Sequence, residues 1–398
     1  MRIVLVHNSY RSSAPSGENR VVDQEGEALA ALGHEVARFG RSSDEIARWP
    51  LAKKAVLPAR TIWSQETYRD LVAALRRDRP DVVHVHNTFP LLSPAVLYAC
   101  RDAGVPVVAT IHNYRLACAG GTFFRRGEVC HDCVHGLPVR AIVHGCYRES
   151  RAATIPLALT TSLHRQAWKS LVSAYVFISA SQRDLLEGCD FPSARVFVRH
   201  NLIPHRDLPR TAKRPTVVYA GRLDEAKGAR LLMAGWDRYL RTSGGEPGLS
   251  LVIAGGGVLG EEVAEWASTR PSVELEGQVS SDRCAELIAQ AQAVLLPSAW
   301  EETFGLVAIE AMAASVPPVA ADHGSFGELI TPGADGMLFS PGDPEALALA
   351  IADVERNPEL YQSYGSQARK TYEQRFDPRR SVEELLEIYR FAIGNPVR

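Results

Sequence analysis

The chain has 398 residues, of which 46% are hydrophobic and 23% charged. This is an ordinary globular balance with room for two or three domains of about 150 residues, and it excludes a mostly disordered, collagen-like or mucin-like chain. The net charge of −2 hides an asymmetry: 26 Lys and Arg stand against 19 Asp and Glu in residues 1–207, a charge of +7, and 18 against 27 in residues 208–398, a charge of −9.

A first strand is expected at Arg2–Val6. Met1–His7 is too short for a secretory apolar region, and no run of about 18 uncharged apolar residues occurs, so the expected location is the cytoplasm. Ser16-Gly17-Glu18-Asn19 then opens a helix over Glu18–Leu32, where a small glycine loop lets backbone approach a ligand closely. Strands are expected at Glu35–Phe39, Val82–His86, Val107–His112, Val176–Ser179 and Val196–Arg199. Helices at Thr67–Asp78, Pro94–Ala103 and Ser181–Gly188 alternate with them. His112 falls at the carboxyl end of its strand, where a histidine can move a proton, bind a hydroxyl, or simply satisfy a loop backbone group.

Between these elements, at about residues 115–150, Cys118, Cys130, Cys133 and Cys146 interrupt a Gly-rich polar stretch. Four thiolates suit a closed tetrahedral zinc site, which would give a segment with little core a reason to be ordered. Unrelated thiols or a redox disulfide are the other readings, since only one Cys-x2-Cys pair is present. Four thiolates leave no open position for catalysis by the metal.

A seam lies near Asn201–Pro215, which carries Pro204, Pro209 and Pro215. The alternation then restarts, with strands expected at Val217–Ala220, Leu251–Ala254, Val273–Leu275, Ala293–Pro297 and Pro318–Ala320. Helices are expected at Gly228–Leu240, Glu261–Ser268, Ser281–Ala291 and Leu306–Ala314, and residues 344–398 read as helices only. Two sets of βα units give an α/β protein of two doubly wound, Rossmann-like domains facing each other across a cleft. The expected division is 1–207, 208–376 and a C-terminal helix, 377–398, that packs back on the first domain.

Two segments of the second half carry chemistry. Gly221-Arg222-Leu223-Asp224-Glu225-Ala226-Lys227-Gly228 places two cations at a strand end and a helix start, a clamp for a diphosphate or else a solvated turn. In Pro297–Met312, Glu302 precedes a helix that begins near Gly305, and Glu310 lies about one and a half turns inside it. A helix start offers free N–H groups to phosphate, and a ribose diol would satisfy Glu310. Residues 301–350 contain eight acids and no Lys or Arg, so their counter-ions must come from elsewhere, with Arg222 and Lys227 as the natural partners.

In this combination and spacing the chain resembles a family 4 glycosyltransferase of the GT-B fold. The resemblance rests on Gly221-Arg222-Leu223…Lys227-Gly228, on Glu302-x7-Glu310 in the frame Glu-Thr-Phe-Gly-Leu-Val…Glu-Ala-Met-Ala, and on His323–Ile330. The opening, His112-Asn113-Tyr114-Arg115 and the Cys cluster resemble a bacterial subgroup, which usually has Gly-Gly-Glu-Asp where this chain has Ser16-Gly17-Glu18-Asn19. The resemblance implies a retaining transfer from a nucleoside-diphosphate sugar without a catalytic metal. It implies that Arg222 and Lys227 hold the diphosphate and that Gly17, Thr303, Phe304, Gly305 and Leu306 complete the donor site. Glu310 would bind the ribose, and Glu302 and His112 the donor sugar. Because such enzymes lack an agreed nucleophile, Glu302 is not assigned that role. The acceptor, a glycan, a lipid-linked precursor or a small molecule, is not named by the sequence. The basic N-terminal half suits an anionic acceptor or the inner membrane face, or is a solvated surface, and no nucleic-acid footprint is present.

The main rival is an NAD-dependent oxidoreductase, since Gly255-Gly256-Gly257-Val258-Leu259-Gly260 fits a dinucleotide fingerprint with Glu274 and Glu276 beyond it. That turn follows the second strand of its domain rather than the first, and the reading leaves Arg222, Lys227, Glu302 and Glu310 unexplained. A nucleotide-sugar epimerase of the same fold, a donor hydrolase and a noncatalytic nucleotide-sugar binder are the remaining alternatives.

Overall fold

The computed structural model of the protein describes residues 1–12, 16–206 and 213–397. Pro209 and the expected 207/208 boundary lie outside these residues. Among the described residues the strands form two six-stranded sheets and one two-stranded ribbon.

The first sheet contains β1 (Arg2–Ser9), β2 (Glu35–Ser42), β3 (Val82–Asn87) and β4 (Val107–Ile111). An antiparallel ribbon, β5 (Phe124–Arg125) and β6 (Glu128–Val129), comes next in the chain, and β7 (Ala174–Phe177) and β8 (Val196–Val198) complete the sheet. The order is β2-β1-β3-β4-β7-β8, parallel throughout. Every residue of β3 and β4 is buried, as a parallel strand covered on both faces requires, which is why these strands read as apolar runs.

The second sheet contains β9 (Thr216–Ala220), β10 (Ser250–Ala254), β11 (Val273–Gly277), β12 (Ala293–Leu296), β13 (Pro318–Ala321) and β14 (Met337–Phe339). Its order is β11-β10-β9-β12-β13-β14. In each sheet the winding direction reverses once, at β1/β3 and at β9/β12. Such switch points leave a crevice beyond the carboxyl strand ends, where ligands of doubly wound sheets bind.

The chain divides into two compact units, Met1–Phe123 with Cys130–Leu202 and Arg379–Arg398, and Phe124–Val129 with Ile203–Pro378. The C-terminal helix Pro378–Gly394 buries Val382, Leu385, Ile388 and Tyr389 in one core with Ile3, Leu5, Val82 and Val108. Each such side chain contributes about 1.5–3 kcal/mol by leaving water. Helices absent from the sequence expectation include Arg151–Leu163, which carries Pro156 in its interior. A proline there removes a backbone donor and masks the helical signal.

Candidate active site

In the second unit the loops that follow β9 and β12 meet at the switch point. The backbone of Ala299 donates to Ala226 O at 2.9 Å, tying one loop to the other. Gly228 has φ +75° and caps the helix Ala229–Thr242; a Cβ there would lie 1.7 Å from Pro297 O. Only glycine permits this close approach of the two loops.

Asp224 organises the first loop. Its Oδ1 accepts from the Lys227 backbone N–H at 2.8 Å and its Oδ2 from Arg222 Nε at 2.8 Å, so one carboxylate holds both the Arg222 guanidinium and the loop backbone at Lys227. The Tyr219 hydroxyl braces the same loop by donating to Arg222 O at 2.6 Å, and burial, helped by the charge of Asp224, keeps it protonated.

Lys227 Nζ donates to Glu302 Oε2 at 2.6 Å and lies 5.1 Å from the centre of the Trp300 ring. Ser298 Oγ and Trp300 Nε1 also donate to Glu302 Oε2, each at 3.2 Å. All three donors go to one oxygen of a carboxylate that is only 5% exposed, so its orientation is fixed and Oε1 takes none of them. The acidic stretch thus draws one counter-ion from Lys227. Thr303, Phe304 and Gly305 are buried, and Gly305 caps the helix Leu306–Ala313, in which Glu310 is half-buried. Free amide groups at a helix start and cations on a neighbouring loop are features that suit a diphosphate.

The turn after β10 has a structural explanation. Gly255 has φ +152°, and a Cβ on it would lie 1.8 Å from Gly221 O. The backbone that comes close to these glycines is the loop Gly221–Leu223 itself, through Gly221 N to Ala254 O and Leu223 N to Gly256 O, both 3.0 Å. The pattern that mimics a dinucleotide fingerprint therefore supports the Arg222 loop.

The first unit has its own polar cluster at the β1/β3 switch point. Ser16 Oγ accepts from Glu18 N at 3.2 Å and caps the helix Gly17–Ala31. His7 Nε2 lies 2.8 Å from Asn19 Oδ1. Glu18 is buried and receives the Tyr10 hydroxyl at 3.1 Å; burial pushes its carboxyl up to about 7 against these contacts. His112 follows β4, and its Nε2 lies 2.9 Å from His86 Nδ1. Burial holds His112 down to about 3, so at neutral pH it is a neutral ring suited to hydrogen bonding and a poor general base. Both histidines line a recess of about 80 Å³ together with Asn113, Arg115 and Phe89.

Chain similarity fits this geometry. Residues 15–206 match the Glycosyltransferase Family 4 profile, and residues 204–371 match the profile of Glycosyl transferases group 1. The chain belongs to the family 4 glycosyltransferases. This glycosyltransferase is 27% identical over 431 aligned residues to glycogen synthase of Mycobacterium tuberculosis, covering 98% of this chain and 94% of that one. Its fold is that of a sucrose-phosphate synthase from Thermosynechococcus elongatus (TM-score 0.71, 18% identity, 99% of each chain). Anabaena HepE, solved with UDP-glucose, is also similar in fold (TM-score 0.68, 18% identity, 97% of this chain and 98% of that one). The fold is therefore GT-B, and an oxidoreductase is not favoured.

In this transferase the four insert cysteines are all free thiols. Burial raises the Cys133 thiol, and the charges of Cys118 and Cys130 push it the same way, so these groups are neighbours. Cys118 Sγ and Cys146 O both lie within 4 Å of the position a Cβ on Gly120 would take. The donor chemistry thus fits zinc. Among the described residues, the group of three metal-ligating side chains whose donor atoms fall within 4.8 Å of one another is instead Glu25, His84 and His86, so the thiols are near one another without forming a closed shell. Among the same residues no helix is long and apolar enough to cross a membrane.

Several residues that shape these sites are not among those the sequence motifs single out. Asp224, Ser298 and Trp300 sit inside the motifs but were not distinguished. Glu25, His84, His86 and Arg199 were missed. The available signal was His84-x-His86 on an otherwise apolar strand, where alternate residues share a face.

Proposed function

We propose that the enzyme transfers a sugar from a nucleoside-diphosphate sugar to an acceptor hydroxyl, with retention of configuration, in the assembly of a polysaccharide or glycolipid or in natural-product glycosylation. The observation that carries this reading is the Lys227–Glu302 pair joining the loops after β9 and β12, with Arg222 in the same loop. Arg222 and Lys227 hold the two phosphates. As the glycosidic bond breaks, negative charge grows on the leaving diphosphate, and preorganised cations stabilise that state more than the ground state. The amides at Gly305 and Leu306 add neutral donors, with Thr303 and Phe304 shaping the loop. Glu310 takes the ribose hydroxyls.

Glu302 keeps Lys227 in place and meets the donor sugar through its other oxygen. Three donors on Oε2 lower its nucleophilicity, which supports a route in which the acceptor attacks from the face of the departing phosphate. In the first unit, Gly17 would offer an amide and His112 a ring nitrogen to a sugar ligand. No metal is assigned to catalysis, because the two cations supply the charge a metal would. Cys118, Cys130, Cys133 and Cys146 would hold a structural zinc, which would neutralise the mutual repulsion of their thiolates. The positive charge of residues 1–207 suits an anionic acceptor or the inner face of a membrane, and sedimentation with anionic against neutral vesicles tests the latter.

A thermal-shift screen against nucleoside diphosphates, nucleotide sugars and NAD tests the reading. UDP and UDP-glucose come first, because HepE was solved with UDP-glucose. The expected result is a raised midpoint with one nucleoside diphosphate and none with NAD. Stabilisation by NAD alone would overturn the assignment.

A further inference from the structure

A chain of buried polar groups in the first unit ends on His112. It starts at Arg199, which is 2% exposed and donates through Nη1 to Glu25 Oε1, through Nε to Ser381 O at 2.7 Å and through Nη2 to Ser381 Oγ at 3.0 Å. Glu25 is fully buried. Burial opposes its ionisation, but the Arg199 guanidinium outweighs this and holds the carboxyl below its usual range. Its second oxygen, Oε2, has no hydrogen-bond partner and faces His86 Nε2 at 3.7 Å, which has none either. His86 Nδ1 lies 2.9 Å from His112 Nε2.

A metal does not explain this cluster. His84 uses Nδ1 with the Tyr389 hydroxyl at 2.8 Å and Nε2 with Thr110 Oγ1 at 2.7 Å, and Glu25 already has a guanidinium as counter-ion. A fixed proton arrangement does explain it. A lone pair on His86 Nε2 would point at an ionised oxygen in a site without water-like screening, so the proton of His86 belongs on Nε2. Nδ1 is then an acceptor, and the short contact to His112 requires the proton of that ring on its Nε2.

We propose that Glu25 and His86 are positioning residues that fix the tautomer of His112, so that His112 presents Nδ1 as a hydrogen-bond acceptor to a sugar hydroxyl. This deepens the reading of His112 given above and rests on it for the identity of the hydroxyl. Burial keeps His84, His86 and His112 neutral, and His7 is shifted the same way, so no neighbouring ring cation competes with the arrangement. A ring locked in this state accepts from a hydroxyl and rejects a sugar that offers only an acceptor there.

The test is ¹⁵N NMR of histidine-labelled protein without ligand, with His86 and His112 assigned from the signals missing in His86→Asn and His112→Asn. The expected spectrum shows both rings protonated at Nε2 and bare at Nδ1. A proton on Nδ1 of either ring, or rapid exchange between tautomers, would overturn the proposal whether or not the enzyme turns over any donor. In binding, His86→Phe should lose about tenfold in affinity for UDP-glucose and none for UDP, as expected for one lost hydrogen bond to the sugar. His86→Asn, which can keep an acceptor near Nδ1, should restore it. Equal losses for UDP and UDP-glucose would mark His86 as merely structural. If neither ligand binds the wild type, the donor assignment fails and the spectrum alone decides the tautomer.

Discussion

Replacing Lys227 should weaken nucleoside-diphosphate binding, whereas replacing Glu302 should not. Lys227 is about a quarter exposed and Glu302 nearly buried, so the ammonium can serve both the carboxylate and a phosphate. A charge-assisted hydrogen bond is worth about 1.5–3 kcal/mol, so Lys227→Met should weaken nucleoside-diphosphate binding about 10- to 150-fold. It should also lower kcat/KM by more than it weakens binding, because the lost charge stabilises the leaving group chiefly in the transition state. Glu302 would keep the Ser298 and Trp300 donors, so the stability cost should stay near 1–2 kcal/mol rather than the larger value for a fully buried pair. Glu302→Gln removes a negative charge beside the phosphates. Its affinity for the diphosphate should hold or tighten while turnover falls at least tenfold. Isothermal titration with the diphosphate selected by the screen, together with initial rates, measures both. If Lys227→Met binds as the wild type does, or if Glu302→Gln loses diphosphate affinity like the lysine variant, the clamp is wrongly assigned.

Further outcomes are open to direct measurement. Glu18→Gln should flatten the dependence of stability on pH: with the folded carboxyl raised to about 7 from 4.5, wild-type stability from this group is full below pH 4.5 and is lost as pH rises through 7. The wild type should therefore fall behind the variant by at most about 3 kcal/mol at pH 8, and denaturant midpoints at pH 5 and pH 8 that shift equally in both proteins would contradict this. Gly228→Ala should cost more than about 2 kcal/mol and abolish diphosphate binding, since its Cβ would collide with Pro297 O; a soluble, binding-competent variant would refute the packing argument. Chelation of the purified protein should lower its melting midpoint and release about one zinc per chain, and Cys130→Ser should abolish the effect, whereas elemental analysis finding no zinc would leave the thiols without this role.

The βα alternation was legible because strands such as β3 and β4 are buried on both faces and so stand out as apolar runs. The short strand β14, three residues long, gave too little pattern to be read. The two loops of the second unit were visible because their charged residues cluster within one motif each, and the shortage of cations around Glu302 pointed to a partner such as Lys227. The histidine chain was not visible. Glu25, His86, His112 and Arg199 are scattered over four separate stretches of the chain, and nothing in the local sequence says which of them touch. The glycines at 255–260 mimic a dinucleotide fingerprint for a physical reason: a dinucleotide and a neighbouring backbone impose the same demand for a missing Cβ, and here the neighbour is Gly221.

The return of the C-terminal helix to the first sheet has a consequence for biosynthesis. Residues 1–202 leave the ribosome long before Arg379–Arg398, yet they lack the cover for Ile3, Leu5, Val82 and Val108 and the Ser381 groups that receive Arg199. The earlier-made unit is therefore the later one to be completed, and its apolar sheet face stays exposed while the second unit is translated. Chimeras that exchange the N-terminal half between related enzymes should carry residues 379–398 from the same parent. A chimera cut at the seam alone would pair one parent's sheet with the other parent's helix.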